Sequence, residues 1–523
     1  MNNKLFASGN EAIAMAAIDC AVDLGCGYPG TPSSEILDEF CRLGGAAEWE
    51  PNEKCALETA IGVALANGRS LVTMKHVGLN VAADPLFTIA YSGTPGALVV
   101  VSADDPGMAS SQNEQDNRRY AAAAGVPMFE PADSQECYDF TFAAFELAER
   151  FRSPVLLRLT TRVCHSKCVF ERRFAPREHR TGSFERNPRL NVMVPAFARE
   201  AHRRLRADLA KMCELNEEGK YTIRRDGDPA LGIITSGISY QHVLDAAPEA
   251  SVLKLGMTYP LPMETIRAFV KSVGRAIVVE EGDPILRDAI NAAGIPVEGK
   301  AEMYRFGELN VERVRRILAG DTTPEAAPLP GKPPQLCPGC PHRKSFEVLR
   351  DLDCIVSGDI GCYTLGVMPP FQAIDSCVCM GASITVGLGL RKMLPEKEAR
   401  RVVSVIGDST FLHTGINGIV EMVYNRPETG HVVVILDNHT TAMTGLQEHP
   451  ATGRKLDHRT PAPAVSLEKI VSGIGVDRVE VVDTTAEPEK FRALLQECLA
   501  SNQCSVIIAR RPCILALARD RKN

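Results

Sequence analysis

Short runs of Val, Ile and Leu, bounded by Gly, Pro and Asp, alternate along the chain with longer amphipathic stretches. The runs Ala97–Ala103, Pro154–Leu159, Gly232–Thr235, Arg275–Val279, Arg401–Ile406, His431–Leu436 and Ser505–Ala509 are too evenly apolar for strands with one wet face. Strands of that kind are buried on both sides, which predicts parallel sheets covered by helices. The rhythm breaks twice. A polar, Arg-rich stretch covers about 171–226 and contains a helical pattern over Ala196–Leu215. A Pro-rich linker, Gly320–Pro334, is poor in apolar residues and has no elements of its own. These breaks separate three α/β units, 1–165, 227–318 and 335–523, each predicted as a doubly wound parallel sheet. Near the N-terminus, Ser8 and Glu11 have the capping-box spacing; Asp19 and Asp23 within the following stretch Ala12–Leu24 predict a surface helix.

The chain has 523 residues, 45% of them hydrophobic and 24% charged, which suits a multidomain enzyme and excludes disordered or fibrous classes. A net charge of −7 argues against a dedicated nucleic-acid binder, which needs surplus Lys and Arg for the phosphates. Seventeen cysteines, an odd number without repeated spacing, predict a reducing cytosol rather than a disulfide scaffold. No signal peptide is visible, and no apolar run reaches the length of about 18 residues that a membrane helix needs, so the expected location is cytoplasmic.

The strongest chemistry lies in the third unit. Strand Arg401–Ile406 ends in Gly407-Asp408-Ser409, and strand His431–Leu436 ends in Asp437-Asn438. Thirty positions separate Asp408 from Asn438, about one βαβ unit, so neighbouring parallel strands deliver both to the sheet edge where ligands bind. A carboxylate, an amide oxygen and a nearby carbonyl make half of a hard-oxygen shell that Mg²⁺ would complete with diphosphate oxygens. Gly407 is expected to let the backbone approach the ligand, with Ser409 donating to phosphate. The pair resembles the thiamine diphosphate signature, GDG followed about thirty residues later by NN, with Ser and Asp as mild departures. That resemblance implies the Thr440 carbonyl as a further Mg²⁺ ligand.

In the first unit, Asn52-Glu53-Lys54 leads into a helix of small residues. Glu53 at its start is either a first-turn partner of the helix dipole or the carboxylic acid that activates thiamine; Glu58 is the competing candidate. Gly27–Ser34 is a tight loop entering a helix, with Thr31 as expected N-cap and Pro32 at the first helical position. The same helix start could hold a substrate carboxylate. Lys75 and His76, after strand Leu71–Met74, are further candidates.

Among the cysteines, Cys337-Pro338-Gly339-Cys340 forms the one C-x-x-C. Spacing alone leaves open a zinc knuckle, with His342 and Cys362 as conceivable partners, a redox pair, or two ligands of a cluster. The runs Cys337–Arg343 and Gly358–Tyr363, followed by the Asp408 and Asn438 pair, resemble the 2-oxoacid:ferredoxin oxidoreductases. Within that family, Gly27–Ser34, Asn52–Lys54 and Met74–Asn80 look like the large alpha subunit of the indolepyruvate ferredoxin oxidoreductases along nearly the whole chain. The resemblance implies two thiamine-binding-type domains flanking a transketolase C-terminal-like domain, and one 4Fe–4S cluster held by Cys337, Cys340, Cys362 and Cys513. It further implies Glu53 as activating acid, Thr31 on the substrate carboxylate, and coenzyme A as acyl acceptor. The activity implied is oxidative decarboxylation of aryl 2-oxoacids, with a smaller beta subunit in an α2β2 assembly and ferredoxin as a type of acceptor. Family members usually continue into a ferredoxin-like tail with two further cysteine runs. None follows Cys513 here, so those clusters are expected to be absent or carried by another chain. The alternative is a non-redox thiamine decarboxylase or acyl transferase with structural or zinc-binding cysteines.

Overall fold

The computed structural model describes residues 4–326 and 334–521, in two compact units, Met1–Ala326 and Ala327–Asn523. In the first unit a seven-stranded sheet runs in the order Met257–Tyr259, Met128–Phe129, Val155–Thr160, Ala97–Asp104, Arg69–Lys75, Leu24–Gly27, Ala47–Trp49. Every neighbour is parallel except Met257–Tyr259, which is antiparallel to Met128–Phe129. Helices Gly9–Asp19 and Ser134–Phe151 cover one face, and Glu53–Leu65 and Ala83–Ser92 the other, which is why Ala97–Asp104 is buried at every position. The helix Pro195–Glu217 occupies the polar stretch, burying Leu205, Leu209 and Met212 and exposing its Arg-rich face.

A second sheet in this unit runs Glu298–Gly299, Arg275–Val279, Asp228–Ser236, Ala250–Leu255, Thr222–Arg225, the last antiparallel. Two expectations change. Met257–Tyr259, within the stretch 227–318 expected to form a unit of its own, pairs instead with Met128–Phe129 and extends the first sheet. The crossing point is Gly256, whose N–H donates to the Tyr221 carbonyl and whose carbonyl accepts from Glu130. A Cβ there would stand 2.5 Å from the Phe140 ring, so only glycine fits this passage between sheets. The N-terminal helix has the expected capping box but is not a surface helix. It is packed on all sides, and Asp19, at 0% exposure, is neutralised by Arg172 and by the Tyr138 hydroxyl at 2.7 Å.

The second unit holds one six-stranded, wholly parallel sheet. Its order is Ser376–Cys377, Ile355–Gly358, Val402–Gly407, His431–Asp437, Cys504–Arg510, Arg478–Val482. Alternate residues divide between two cores: Val403, Val405, Val432 and Val434 meet Phe346 and Phe491, while Ile406, Val433 and Ile435 meet Ile384 and Ile419. Strand order reverses between Ile355–Gly358 and Val402–Gly407, which opens a crevice at their carboxyl ends. Of the Pro-rich linker, residues 327–333 lie outside the described residues; 321–326 form no helix or strand.

Candidate active site

Asp408 and Asn438 reach the same sheet edge because Gly407 pairs with Leu436 in parallel register, which sets each just beyond its strand end. Both side chains are buried, at 2% and 7% exposure. Asp408 accepts from the Ser409 N–H at 2.9 Å and the His439 N–H at 2.8 Å, and its Oδ2 lies 3.2 Å from His449 Nε2. Burial opposes the charged form of Asp408, but His449 and the Ser409 N–H outweigh it and hold the carboxyl below its ordinary range. Asp437 is pushed up by burial and by the neighbouring Asp408, and it pairs with Arg510. Asn438 Oδ1 accepts the Thr440 N–H at 3.1 Å, its carbonyl accepts the Cys513 N–H at 2.9 Å, and its Nδ2 lies 3.2 Å from His342 Nε2. Thr440 is buried and donates its hydroxyl to the Gln447 carbonyl, and the Thr441 hydroxyl donates to Ser409 Oγ at 2.9 Å.

This donor set, a buried carboxylate and an amide oxygen on adjacent strand ends, is the chemistry that suits a hard cation and a diphosphate. Gly407 also has a reason within the protein itself. A Cβ there would stand 2.6 Å from Tyr363 Cε1, so the Tyr363 ring already requires glycine at this position. Across the crevice, buried Asp359 accepts N–H bonds from Ile360, Gly381 and Ser383 and so anchors the start of helix Ala382–Met393. Sequence reasoning assigned no role to His449, Asp359 or Tyr363. His449 has no local pattern around it, whereas Asp359 and Tyr363 lie inside the run Gly358–Tyr363.

Cys340 and Cys362 each lie within electrostatic range of Cys337 and Cys513. Cys340 closes a turn onto the Cys337 carbonyl at 3.0 Å, and a Cβ at Gly339 would come 3.8 Å from Ile514, the residue after Cys513. Burial, with the neighbouring thiols Cys337 and Cys513, pushes Cys340 up to about 11. Burial again, with Cys340, Cys513 and Cys337, pushes Cys362 up to about 12. The four sulfurs thus feel one another, yet among the described residues no three His, Cys, Asp or Glu side chains stand in a single-ion arrangement. The His342 ring Nε2 faces Asn438, which takes away the His ligand that a zinc knuckle would use through that nitrogen.

In the first unit, Glu53 opens helix Glu53–Leu65 behind the Asn52 cap, whose side chain accepts the Cys55 N–H at 2.8 Å. It is buried, and Gly78 leaves space for its carboxylate: a Cβ at 78 would lie 2.6 Å from Glu53 Oε1. Glu58 is exposed and pairs with Lys54. Lys75 donates to the Ser110 carbonyl at 3.0 Å, and burial holds its ammonium below the ordinary lysine range against the pull of Asp105 and Glu53. His76 is buried, with Nε2 donating to the Asn113 carbonyl at 3.0 Å. Thr31 is not an N-cap. The Thr31–Pro32 peptide is cis and the helix begins at Ser34, because Ser33 Oγ donates to the Gly30 carbonyl and Gly30 N–H donates to Ser34 Oγ, which tightens the loop first. Beyond the loop after Ala97–Asp104, a buried ion network joins the two sheets of this unit: Arg158 binds Asp104 and Glu130, and Arg118 binds Asp116 and Glu280. Among the described residues no helix is long and apolar enough to cross a membrane.

Comparison with known proteins agrees with this geometry. Residues 15–180 match the thiamine diphosphate-binding family of pyruvate flavodoxin/ferredoxin oxidoreductases, and 359–509 match the C-terminal thiamine pyrophosphate-binding domain of thiamine pyrophosphate enzymes. Indolepyruvate oxidoreductase subunit IorA of Archaeoglobus fulgidus is 41% identical over 99% of this chain and 88% of its own. The IorA subunit of Pyrococcus horikoshii is 36% identical over 98% of this chain and 86% of its own. Among solved structures, a 2-oxoglutarate:ferredoxin oxidoreductase from Magnetococcus marinus, with 2-oxoglutarate, coenzyme A and succinyl-CoA bound, shares the fold. It has a TM-score of 0.52 at 17% identity and covers 61% of this chain and 65% of its own. Identity at this level over almost the full length places the chain in the IorA family of indolepyruvate oxidoreductase subunits, thiamine diphosphate-dependent enzymes of 2-oxoacid oxidation and reduction.

Proposed function

We propose that the protein carries out CoA-dependent oxidative decarboxylation of aryl 2-oxoacids, of the indolepyruvate and phenylpyruvate type, to acyl-CoA and CO₂. The carrying observation is that one sheet edge presents both the Asp408 and Asn438 pair and the four-cysteine set, joined where the Cys513 N–H donates to the Asn438 carbonyl. Decarboxylation to the acyl level releases two electrons. A one-electron carrier beside the cofactor site takes them singly, which a 4Fe–4S cluster on Cys337, Cys340, Cys362 and Cys513 can do and zinc cannot. The mutual electrostatic influence of Cys337, Cys340, Cys362 and Cys513 supports a shared group.

In this reading Asp408, Asn438 and the Thr440 carbonyl hold Mg²⁺, and Gly407 and Ser409 border the diphosphate. Thiamine diphosphate, when bound, supplies the acidic ring carbon that attacks the ketone and stores the electron pair as CO₂ leaves. Glu53, desolvated at its helix start, passes a proton to the aminopyrimidine ring nitrogen, and Thr31 donates its hydroxyl to the substrate carboxylate. Coenzyme A takes the acyl group. The relatives' names, indolepyruvate oxidoreductase subunits, support an aryl substrate and a further subunit; that partner is taken as a smaller beta subunit in an α2β2 assembly, with a ferredoxin-type acceptor. The test is anaerobic purification with the partner subunit, followed by iron and sulfide analysis and CoA-dependent reduction of a viologen dye. About four irons per chain and a preference for indolepyruvate over pyruvate are expected. Zinc without iron, or decarboxylation that reduces no dye, overturns the reading.

A further inference from the structure

We propose that His342 is a positioning residue that couples the cysteine set to the Asp408 and Asn438 site by fixing the Asn438 amide. The inference rests on the reading above, in which Asn438 is a metal ligand and the cysteines hold a cluster. Asn438 has a defined orientation: Oδ1 accepts the Thr440 N–H at 3.1 Å, so Nδ2 is the atom that faces His342 Nε2 at 3.2 Å. An amide NH₂ only donates, so Nε2 must be the lone-pair nitrogen of a neutral ring. The ring is 3% exposed and packs edge-on against Tyr363, with centroids 6.1 Å apart and planes at 84°, so it has no freedom to turn away. At the other end of the same residue, the His342 backbone N–H donates to the Cys340 sulfur, two residues before it in the chain.

One residue therefore grips a sulfur through its main chain and the proposed magnesium ligand through its side chain. The ring closes from the far side, where the Cys513 N–H donates to the Asn438 carbonyl. Any change in charge at the sulfurs is felt along these bonds at Oδ1, and loading of the metal site is felt at the sulfurs; such coupling is reciprocal. A partner behind a metal ligand, when removed, typically weakens metal affinity by about 10–100-fold.

Three variants of the full chain, purified anaerobically with its partner, test this: His342→Leu, His342→Gln and Asn438→Ala. Two readouts are taken, Mg²⁺-dependent thiamine diphosphate binding by calorimetry, and the electron paramagnetic resonance spectrum of the reduced cluster with and without Mg²⁺ and cofactor. We expect His342→Leu to keep its iron, to bind the cofactor about 10–100-fold more weakly, and to lose the cofactor-induced change in the spectrum. His342→Gln, whose amide oxygen can accept from Asn438, recovers most of both. Equal impairment of the Leu and Gln variants would mean a packing role and overturns the proposal, as does unchanged binding in His342→Leu while Asn438→Ala binds weakly. Normal binding in Asn438→Ala sinks the metal-ligand reading itself, a separate failure.

Discussion

Asp408 accepts the backbone N–H of His439 at 2.8 Å, and His439 stands in the left-handed region at φ 58°. A non-glycine residue there is strained by roughly 1–2 kcal/mol, so the carboxylate does structural as well as chemical duty: it holds the turn that presents Asn438 and Thr440.

Asp408→Ala removes that acceptor and the charge beside His449. Loss of Mg²⁺-dependent cofactor binding in calorimetry is expected, with an unchanged far-ultraviolet circular dichroism spectrum. Wild-type affinity in the variant would withdraw Asp408 from the metal.

Glu53 has space for its carboxylate because residue 78 is glycine. Glu53→Gln should bind thiamine diphosphate normally while exchange of the cofactor's ring-carbon proton slows by about 10²–10⁴-fold. Gly78→Ala pushes a methyl group against Oε1 and should slow exchange by a smaller factor, again with cofactor bound. Proton exchange followed by nuclear magnetic resonance decides; a normal rate in both variants moves the role to another residue.

Arg118 bonds Asp116, Glu280 and the carbonyls of Glu281 and Asp283 with almost no exposure. Arg118→Met leaves buried Glu280 without its ion-pair partner and Asp116 with only the more distant Arg158 at 3.6 Å, which destabilises by about 3–5 kcal/mol. A lower melting temperature is expected, partly restored by adding Glu280→Leu. A single variant as stable as the wild type would show that the network contributes nothing to the joint between the two sheets.

Burial pushes Glu281 up to about 7, against an ordinary value of 4.5. Its folded pKa exceeds its unfolded one, so its contribution is fully present below pH 4.5 and is lost as pH rises through 7. Above that, ionised Glu281 penalises the fold by up to roughly 3 kcal/mol. Glu281→Gln keeps an oxygen for the Leu309 N–H and removes the titration. Thermal unfolding should show the variant a few degrees more stable near pH 8 and little changed near pH 4.5. A stabilisation that does not vary with pH would refute this assignment.

The sequence by itself determined what short-range pattern can encode. Unbroken Val and Ile runs required doubly covered strands, and Gly407-Asp408 with Asp437-Asn438 fell at the ends of two of them, one βαβ unit apart. Glu53 behind its Asn52 cap and the C-x-x-C turn were legible for the same reason: each is a local arrangement of neighbouring residues. Tertiary structure decided the rest. His342 and Asn438 are 96 positions apart and meet only because helix His342–Asp351 starts at the end of a particular strand. Asp19 reads as a surface charge until Arg172, 153 positions away, neutralises it in the core. A side chain at Gly407 would meet the Tyr363 ring, and Met257–Tyr259 reaches the first sheet past Gly256, whose carbonyl accepts the Glu130 N–H. Periodicity carries the direction in which a side chain points; which distant group it meets is fixed only when the sheets stack.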